Sequence, residues 1–277
     1  MSSRFFSTIL ATALFAIAAA GSAADLPASA GPGVHVLEPM TIPGLDRERT
    51  IRVYLPPGYG TSDRRYPVLY MHDGQNLFDD ATSYVGEWGV DEALDALAAE
   101  GLELIVVGID HGGEKRFNEL SYWSNPRFGA GENRQYTDFV VNVLKPHVDA
   151  AYRTRPERGH TGIMGSSMGG LASHYALYAH GATFSKAGIF SPAYWTAPAI
   201  RDWTGTAVLR PDARVYMNLG EKEGDDMLRP FAEMSALVGA DVAPENFHAA
   251  VVPGAEHDER FWRDEFPEAV RFLFGPR

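Results

Sequence analysis

The sequence predicts an α/β fold with a mainly parallel central sheet and helices on both faces. Short apolar segments suited to buried strands alternate with segments whose apolar residues recur at helical spacing. One earlier segment, near residue 50, alternates apolar and polar residues as a half-buried antiparallel strand does. A Gly-x-Ser-x-Gly turn also separates one apolar strand from the helix that follows it. Such alternation is typical of parallel sheets, in which right-handed crossovers bring the loops after the strands to one edge.

The first half of the chain supplies the early elements of this sheet. Residues 25–40 are rich in small residues and predict a loose start to the mature chain. Residues 49–56 predict the antiparallel strand, and residues 66–71 predict a central strand that is covered on both faces. A helix over 90–100 and a further buried strand over 102–109 follow.

The second half repeats the alternation at similar spacing. The long connection 112–133 contains aromatic residues, which favours an ordered loop over a disordered one. Residues 135–151 predict a helix that Pro146 kinks or ends early. The remaining predictions are strands at 161–164, 184–190, 214–219 and 247–252, with helices from 168, over 227–238 and over 260–274.

The N-terminus of this 277-residue chain has the features of an export signal. Arg4 precedes an apolar run, and small residues then lead to Ala24, which predicts a signal peptide over residues 1–24. A membrane anchor is the alternative, but the apolar run is short for a membrane-spanning helix. We therefore expect one domain over residues 25–277, periplasmic or secreted after cleavage near Ala24.

Composition excludes several classes of function. The formal net charge is −12, so the chain lacks the basic surface that nucleic acid binding requires. It contains no cysteine, which excludes disulfides, thiolate metal sites and cysteine nucleophiles. No second apolar run is long enough to span a bilayer, so we expect no stable membrane insertion after the signal is removed. The sequence does not report the oligomeric state.

The Gly-x-Ser-x-Gly turn places Ser167 at its apex and makes it the candidate nucleophile. A tight strand-to-helix turn lifts the hydroxyl of its central residue clear of the sheet, and it needs glycines where strand and helix pass closely. Ser166 is a weaker candidate because it lacks the glycine spacing. The backbone N–H of Met168, at the start of the following helix, can donate to a developing oxyanion.

A serine nucleophile needs a base, and a base needs an orienting acid. His257 is the one histidine in the loop after the last predicted strand, so it is the candidate base. The loop after the preceding strand carries four carboxylates, and spacing alone does not choose among them; they are Glu221, Glu223, Asp225 and Asp226.

The loop after the central strand offers the second oxyanion donor. Gly74 allows close approach of the backbone there, so the N–H of Gln75 is the candidate. His72, Asp73, Asp79 and Asp80 could instead be metal ligands, but no second histidine lies at ligand spacing.

Four segments together resemble the esterase D/enterochelin esterase family, also called the putative esterase family, of α/β hydrolases. Residues 70–78 resemble the oxyanion loop of the family, and residues 165–170 resemble its elbow. Residues 190–195 resemble the end of its next strand, and residues 254–257 with Trp262 resemble its histidine loop. The resemblance covers residues 49–272 and implies an α/β-hydrolase fold with Glu223 in the place of the acid. It also implies a serine ester hydrolase that uses no metal and no cofactor.

We therefore expect a secreted or periplasmic serine esterase that acts on small-molecule or carbohydrate esters. Family members act on siderophore esters, on feruloyl or acetyl groups of polysaccharides and on S-formylglutathione, and others are mycolyltransferases. The alternatives are an acyltransferase that uses the same acyl-enzyme and a binding protein without catalysis. Trp88 and Trp195, among the aromatic residues of the connections, either line the substrate pocket or belong to the core.

Overall fold

An eight-stranded sheet forms the centre of the fold in the computed structural model, which describes residues 28–276. The predicted signal peptide, residues 1–24, lies outside the described residues. The strands of the described chain are β1 (Val34–Val36), β2 (Met40–Ile42), β3 (Arg47–Arg49), β4 (Ile51–Tyr54), β5 (Val68–His72), β6 (Ile105–Ile109), β7 (Thr161–Ser166), β8 (Lys186–Phe190), β9 (Arg214–Gly220) and β10 (Phe247–Val252).

The sheet is parallel except at one end. Its order is β1-β4-β6-β5-β7-β8-β9-β10, and the two antiparallel pairs are β1 with β4 and β4 with β6. The pairs from β6 through β5 to β10 are all parallel. Strands β2 and β3 form a separate antiparallel pair. This is the mainly parallel α/β arrangement that the sequence predicts, including the antiparallel strand near residue 50.

Helices connect the strands and cover both faces of the sheet. They are α1 (Val90–Ala99), α2 (Arg116–Glu119), α3 (Asn133–Phe139), α4 (Lys145–Ala151), α5 (Met168–Ala179), α6 (Ile200–Thr204), α7 (Asp225–Asp241) and α8 (Glu259–Phe274). Within residues 28–276, no helix combines the length and the apolar character needed to cross a membrane.

The alternation of side chains along β5 shows how the core is divided. Val68 and Tyr70 belong to one buried cluster, whereas Leu69 and Met71 belong to the other. Successive side chains of a strand point to opposite faces, so a strand in the middle of the sheet must be apolar at every position. Helices α1 and α8 cover one face through residues such as Leu94.

The helix predicted over 135–151 is present but is not regular. Helices α3 and α4 are joined by a π-helical segment, Val140–Leu144, and Pro146 lies just after it. Proline cannot donate the hydrogen bond that a regular α-helix needs, and a wider turn accommodates that loss. The helix continues past Pro146 to Ala151 rather than ending at the proline.

The expectation of a loose segment over residues 25–40 is wrong for its second half. Val34–Val36 pairs with β4, with Val34 opposite Tyr54. Met40–Ile42 pairs with Arg47–Arg49. Strands of three residues carry too little periodicity to be recognised from the sequence, and they form because a partner strand offers free hydrogen-bonding groups.

The parallel strands bring distant loops together. Strands β5, β7, β9 and β10 all point the same way, so the residues after them meet at one edge of the sheet. Asp73, Ser167, Glu223 and His257 come from these four loops.

Candidate active site

Ser167 lies between β7 and α5 in a strained backbone conformation, with φ 56° and ψ −118°. A non-glycine residue in such a sparsely populated region costs about 1–3 kcal/mol. Its own peptide groups hold it there. The Ser167 N–H donates to the Phe190 carbonyl at 2.9 Å, and the Ser167 carbonyl accepts from the Ala193 N–H at 3.0 Å.

The glycines of this turn are required by close packing. A Cβ on Gly165 would lie 2.9 Å from the carbonyl carbon of Gly169. A Cβ on Gly170 would lie 2.7 Å from the Phe190 carbonyl oxygen. Only hydrogen fits at these distances, so strand and helix can approach closely enough to form the tight turn.

His257 and Glu223 meet at the edge of the sheet. Nδ1 of His257 lies 2.7 Å from Oε2 of Glu223. The Glu223 side chain is fully buried, whereas 36% of the His257 side chain is exposed. A carboxylate only accepts hydrogen bonds, so the proton sits on Nδ1 and the lone pair of Nε2 is left available to a substrate or nucleophile.

Of the four carboxylates that the sequence left open, Glu223 is the one that contacts His257. Glu221 accepts a hydrogen bond from the Gly254 N–H at 2.9 Å and is exposed. Asp225 and Asp226 are exposed residues of the first turn of α7, where negative charge complements the helix dipole.

Ser191 holds the acid from the side opposite His257, a contact that the sequence analysis missed. The Ser191 hydroxyl donates to Oε1 of Glu223 at 2.5 Å and accepts from the Trp262 indole N–H at 2.9 Å. The Gly220 N–H donates to the same carboxylate oxygen at 2.8 Å. Ser191 is fully buried and has a positive φ of 41°. In the sequence, Ser191 was noted only as part of residues 190–195, which resemble the family, and that resemblance assigned no role to it.

Ser167 and His257 line the same pocket, which has a volume of about 520 Å³. Its apolar lining includes Leu77, Val85, Trp88 and Phe117. Among the described residues, the Ser167 hydroxyl has no hydrogen-bond partner. Contacts between a nucleophile and its base often tighten only when substrate binds, so their shared pocket is the relevant geometry.

The two predicted oxyanion donors differ in position. The Met168 N–H belongs to the first turn of α5, where the helix itself provides no acceptor. Gln75 lies in the turn Gly74–Asn76, and its side chain accepts from the His111 N–H at 3.1 Å. Asp73 and Asn76 of the same loop line the pocket, but Gln75 does not. Its role as the second donor stays a prediction.

Beside the turn, an ion pair joins Asp73 to Arg116. The guanidinium makes two hydrogen bonds to the carboxylate, at 2.6 and 2.9 Å. Burial alone would raise the pKa of Asp73, but the charge of Arg116 outweighs it and lowers that pKa. Burial lowers the pKa of the neighbouring His72 to about 4, so this ring is neutral at pH 7.

Each of the four side chains considered as a metal ligand near this site has another partner within the described chain, although Nε2 of His72 is buried without one. His72 is bonded through Nδ1 to the Tyr136 hydroxyl at 2.8 Å, and Asp73 is paired with Arg116. Asp79 accepts from the Ala81 N–H at 3.0 Å, and Asp80 accepts from the Glu87 N–H at 2.9 Å. The structure therefore gives no support to a metal centre built from these four residues.

The two candidate substrate-binding tryptophans are far from equivalent. Trp88 is 3% exposed, lines the pocket and stacks on Phe190 with ring centroids 5.6 Å apart. Trp195 is 45% exposed and lines a different pocket, beside Arg229. The structure brings Trp88, but not Trp195, to the pocket of Ser167.

Comparisons with known proteins agree with this fold. The family model described as "Putative esterase" matches residues 42–273. The uncharacterized protein YbbA of Bacillus subtilis is 25% identical over 241 residues, which cover 82% of this chain and 93% of that protein. An endo-1,4-beta-xylanase/feruloyl esterase of Xylanibacter ruminicola is 25% identical over 231 residues, which cover 82% of this chain but 29% of that protein. Among solved structures, the siderophore hydrolase EstB of Aspergillus nidulans has a TM-score of 0.70 at 17% identity and covers 90% of this chain and 99% of that one.

Proposed function

The chain belongs to the putative esterase family and is an ester hydrolase, and we propose that it uses Ser167, His257 and Glu223 as a catalytic triad. The observation that carries the proposal is the 2.7 Å contact between His257 and Glu223 beside a pocket that Ser167 also lines. A nucleophile, a base and an orienting acid from three loops are what acyl transfer through a serine requires.

In the proposed reaction, the Ser167 oxygen attacks the ester carbonyl while Nε2 of His257 takes the hydroxyl proton. Glu223 stays ionised and stabilises the imidazolium through Nδ1–H. The Met168 N–H donates to the oxygen that becomes negative. His257 then protonates the departing alkoxide, which leaves an acyl-enzyme. Water, deprotonated by His257, releases the acid and restores Ser167.

We propose that the substrate is a siderophore ester or an acylated carbohydrate. The apolar and aromatic lining of the pocket, with Trp88 and Phe117, suits an aryl or acyl group. The names of the matched proteins, a feruloyl esterase and a siderophore hydrolase, indicate the same two classes. Turnover of ferric siderophores, feruloyl sugars and short acyl esters would separate them.

An acyltransferase is the second candidate because the same acyl-enzyme can pass its acyl group to a sugar hydroxyl instead of water. The half-exposed His257 side chain is compatible with either acceptor. Product analysis with and without a carbohydrate acceptor distinguishes the two. Failure of a fluorophosphonate probe to label the folded protein would instead favour a binding protein on this fold.

Replacing Ser167 by alanine tests the triad. We expect Ser167→Ala to lower kcat/KM for p-nitrophenyl acetate by about 10⁴-fold or more, because no other group supplies the nucleophile. The fold should persist, as judged by circular dichroism. Ser235→Ala, in which the lost hydroxyl bonds only to its own helix at Ala232, is the matched control. Retained turnover in Ser167→Ala, or its loss in Ser166→Ala alone, would contradict the assignment.

We also propose that residues 1–24 direct export and are removed, which places the mature esterase in the periplasm or outside the cell.

A further inference from the structure

Three carboxylates converge where α1 begins. Glu87, Asp91 and Glu92 each offer one oxygen, and these oxygens lie within 4.8 Å of one another. Glu87 is 6% and Asp91 2% exposed, whereas Glu92 is exposed. Carboxylates at this spacing repel one another when they are ionised, and the repulsion is strong where water is excluded.

The two buried carboxylates are incompletely satisfied. Oδ1 of Asp91 and Oε2 of Glu87 are buried without a hydrogen-bond partner. Oδ2 of Asp91 accepts from the Gly31 N–H at 2.6 Å. Buried carboxylate oxygens without partners are costly, so native proteins supply a donor or a cation.

Arg263, which lies beside Gly89, does not supply that hydrogen bond. Nε of Arg263 donates to the backbone carbonyl of Glu87 at 2.9 Å, and within residues 28–276 Arg263 forms no ion pair with the three carboxylates. The dipole of α1 favours Asp91 and Glu92 in its first turn, but it gives no hydrogen bond to the buried oxygens.

We propose that Glu87, Asp91 and Glu92 bind a calcium ion. All three donors are hard oxygens, and the cluster contains no nitrogen or sulfur ligand of the kind that zinc prefers. Calcium accepts roughly six to eight oxygens in irregular arrangements, with water completing the shell, whereas magnesium demands an octahedron. None of the three carboxylates lines the pocket of Ser167, so the ion has a structural role.

The position of the cluster indicates what the ion holds together. Asp91 already binds Gly31 of the N-terminal segment. Glu87 ends the loop that carries Tyr84 and Val85, which line the pocket of Ser167. A bound ion therefore fixes both segments to α1, and its loss should raise KM more than it lowers kcat.

Calorimetry and thermal unfolding of the full protein test the site without reference to esterase activity. After treatment with EDTA and buffer exchange, we expect calcium chloride to bind with one equivalent and to raise Tm, with a weaker response to magnesium chloride at equal ionic strength. Glu92→Gln and Asp91→Asn should each weaken calcium binding by about tenfold or more, because each removes a ligand charge. Asp63→Asn, an exposed carboxylate outside the cluster, is the control and should bind as the wild type does.

Both variants remove charge repulsion, so they should fold in the presence of EDTA. Glu92→Gln is the safer of the two because its side chain is exposed. The proposal is wrong if calcium neither binds nor raises Tm in the wild type, or if both variants respond as the wild type does. If Asp91→Asn has a higher Tm than the wild type, and calcium does not raise the Tm of the wild type, the carboxylates share a proton instead of binding an ion.

Discussion

Ser191 connects the acid of the proposed triad to the closing helix. Its hydroxyl lies between the Glu223 carboxylate and the Trp262 indole. The hydroxyl donates its proton to the carboxylate and accepts a hydrogen bond from the indole N–H. The residue is fully buried. We interpret Ser191 as a positioning residue that fixes the carboxylate on which the orientation of His257 depends.

Replacing Ser191 by alanine should therefore affect the reaction as well as the fold. The buried Trp262 N–H loses its partner, which costs about 1–3 kcal/mol of unfolding free energy, while Oε1 of Glu223 loses one donor and keeps the hydrogen bond from the Gly220 N–H. We expect kcat to fall about tenfold with little change in KM, because the substrate does not contact Ser191. The pH profile of kcat/KM should also shift, since Glu223 interacts with His257 from an altered position.

Trp262→Phe provides the comparison for this variant. It removes the indole donor, keeps a ring and leaves the bond from Ser191 to Glu223 in place, so its effect on kcat should be smaller. A Ser191→Ala enzyme that is only less stable, with the wild-type kcat and pH profile, would show that Ser191 is structural alone.

Helix α5 and strand β5 each contain a buried neutral histidine. His174 is fully buried on α5, and its ring is bonded to the Tyr194 hydroxyl at 2.9 Å and to the Thr204 hydroxyl at 3.0 Å. Burial lowers the pKa of His174 to about 3. Burial likewise lowers the pKa of His72, at the end of β5, to about 4.

These two histidines predict loss of stability in acid. An unfolded histidine has a pKa of about 6.5, so the unfolded chain binds more protons than the folded chain below that pH. The contribution of these two histidines to the free energy of unfolding should fall as pH drops from about 6.5 towards 4, by up to about 1.4 kcal/mol per pH unit for each histidine. This contribution is fully present above about pH 6.5, because the two rings are then neutral in both the folded and the unfolded chain.

Urea unfolding of wild type and His174→Gln at several pH values between 7 and 4 measures the effect. We expect the slope of the unfolding free energy against pH to be smaller in the variant, by the equivalent of about one bound proton, whatever its overall stability. His35→Gln, which removes an exposed histidine of β1, should keep the wild-type slope. Parallel profiles for wild type and His174→Gln would contradict the prediction.

At the scale of the whole molecule, the sequence was informative wherever a pattern was long or unusual. The buried strands around Leu69 and Val106 are almost entirely apolar, and that pattern indicated a parallel sheet. The turn around Ser167 combines a glycine spacing with a strand and a helix. His257 was found because the last strand-to-helix loop contains no other histidine.

The sequence was uninformative where the answer depends on how loops fold against each other. Spacing did not distinguish Glu223 from Glu221, which lies two residues away in the same polar turn, and only the family resemblance pointed to Glu223. The three-dimensional path of that turn brings Glu223, and not Glu221, to His257. Ser191 acts through contacts with residues 32 and 71 positions away, which no local pattern records. Trp88 and Trp195 looked alike as aromatic loop residues, and their different surroundings are set by tertiary packing.

The proposed export of the protein can be tested at its N-terminus. The sequence contains no cysteine, so the fold is held without disulfides by its large buried core. If residues 1–24 are a signal peptide as proposed, export depends on their apolar run, because that run is the part of a signal peptide that a secretion system binds. We expect the protein recovered from the periplasmic or extracellular fraction to begin near Asp25, as measured by intact mass.

Leu14→Arg is the matched variant, because it interrupts the apolar run with a charge and leaves the esterase domain unchanged. It should keep the full-length mass and remain with the cytosolic fraction, while its purified form retains esterase activity. A wild-type protein that keeps residues 1–24 and sediments with membranes would instead identify the segment as an anchor. In that case the esterase would be held at the membrane surface, and the prediction of a free periplasmic or secreted enzyme would be wrong.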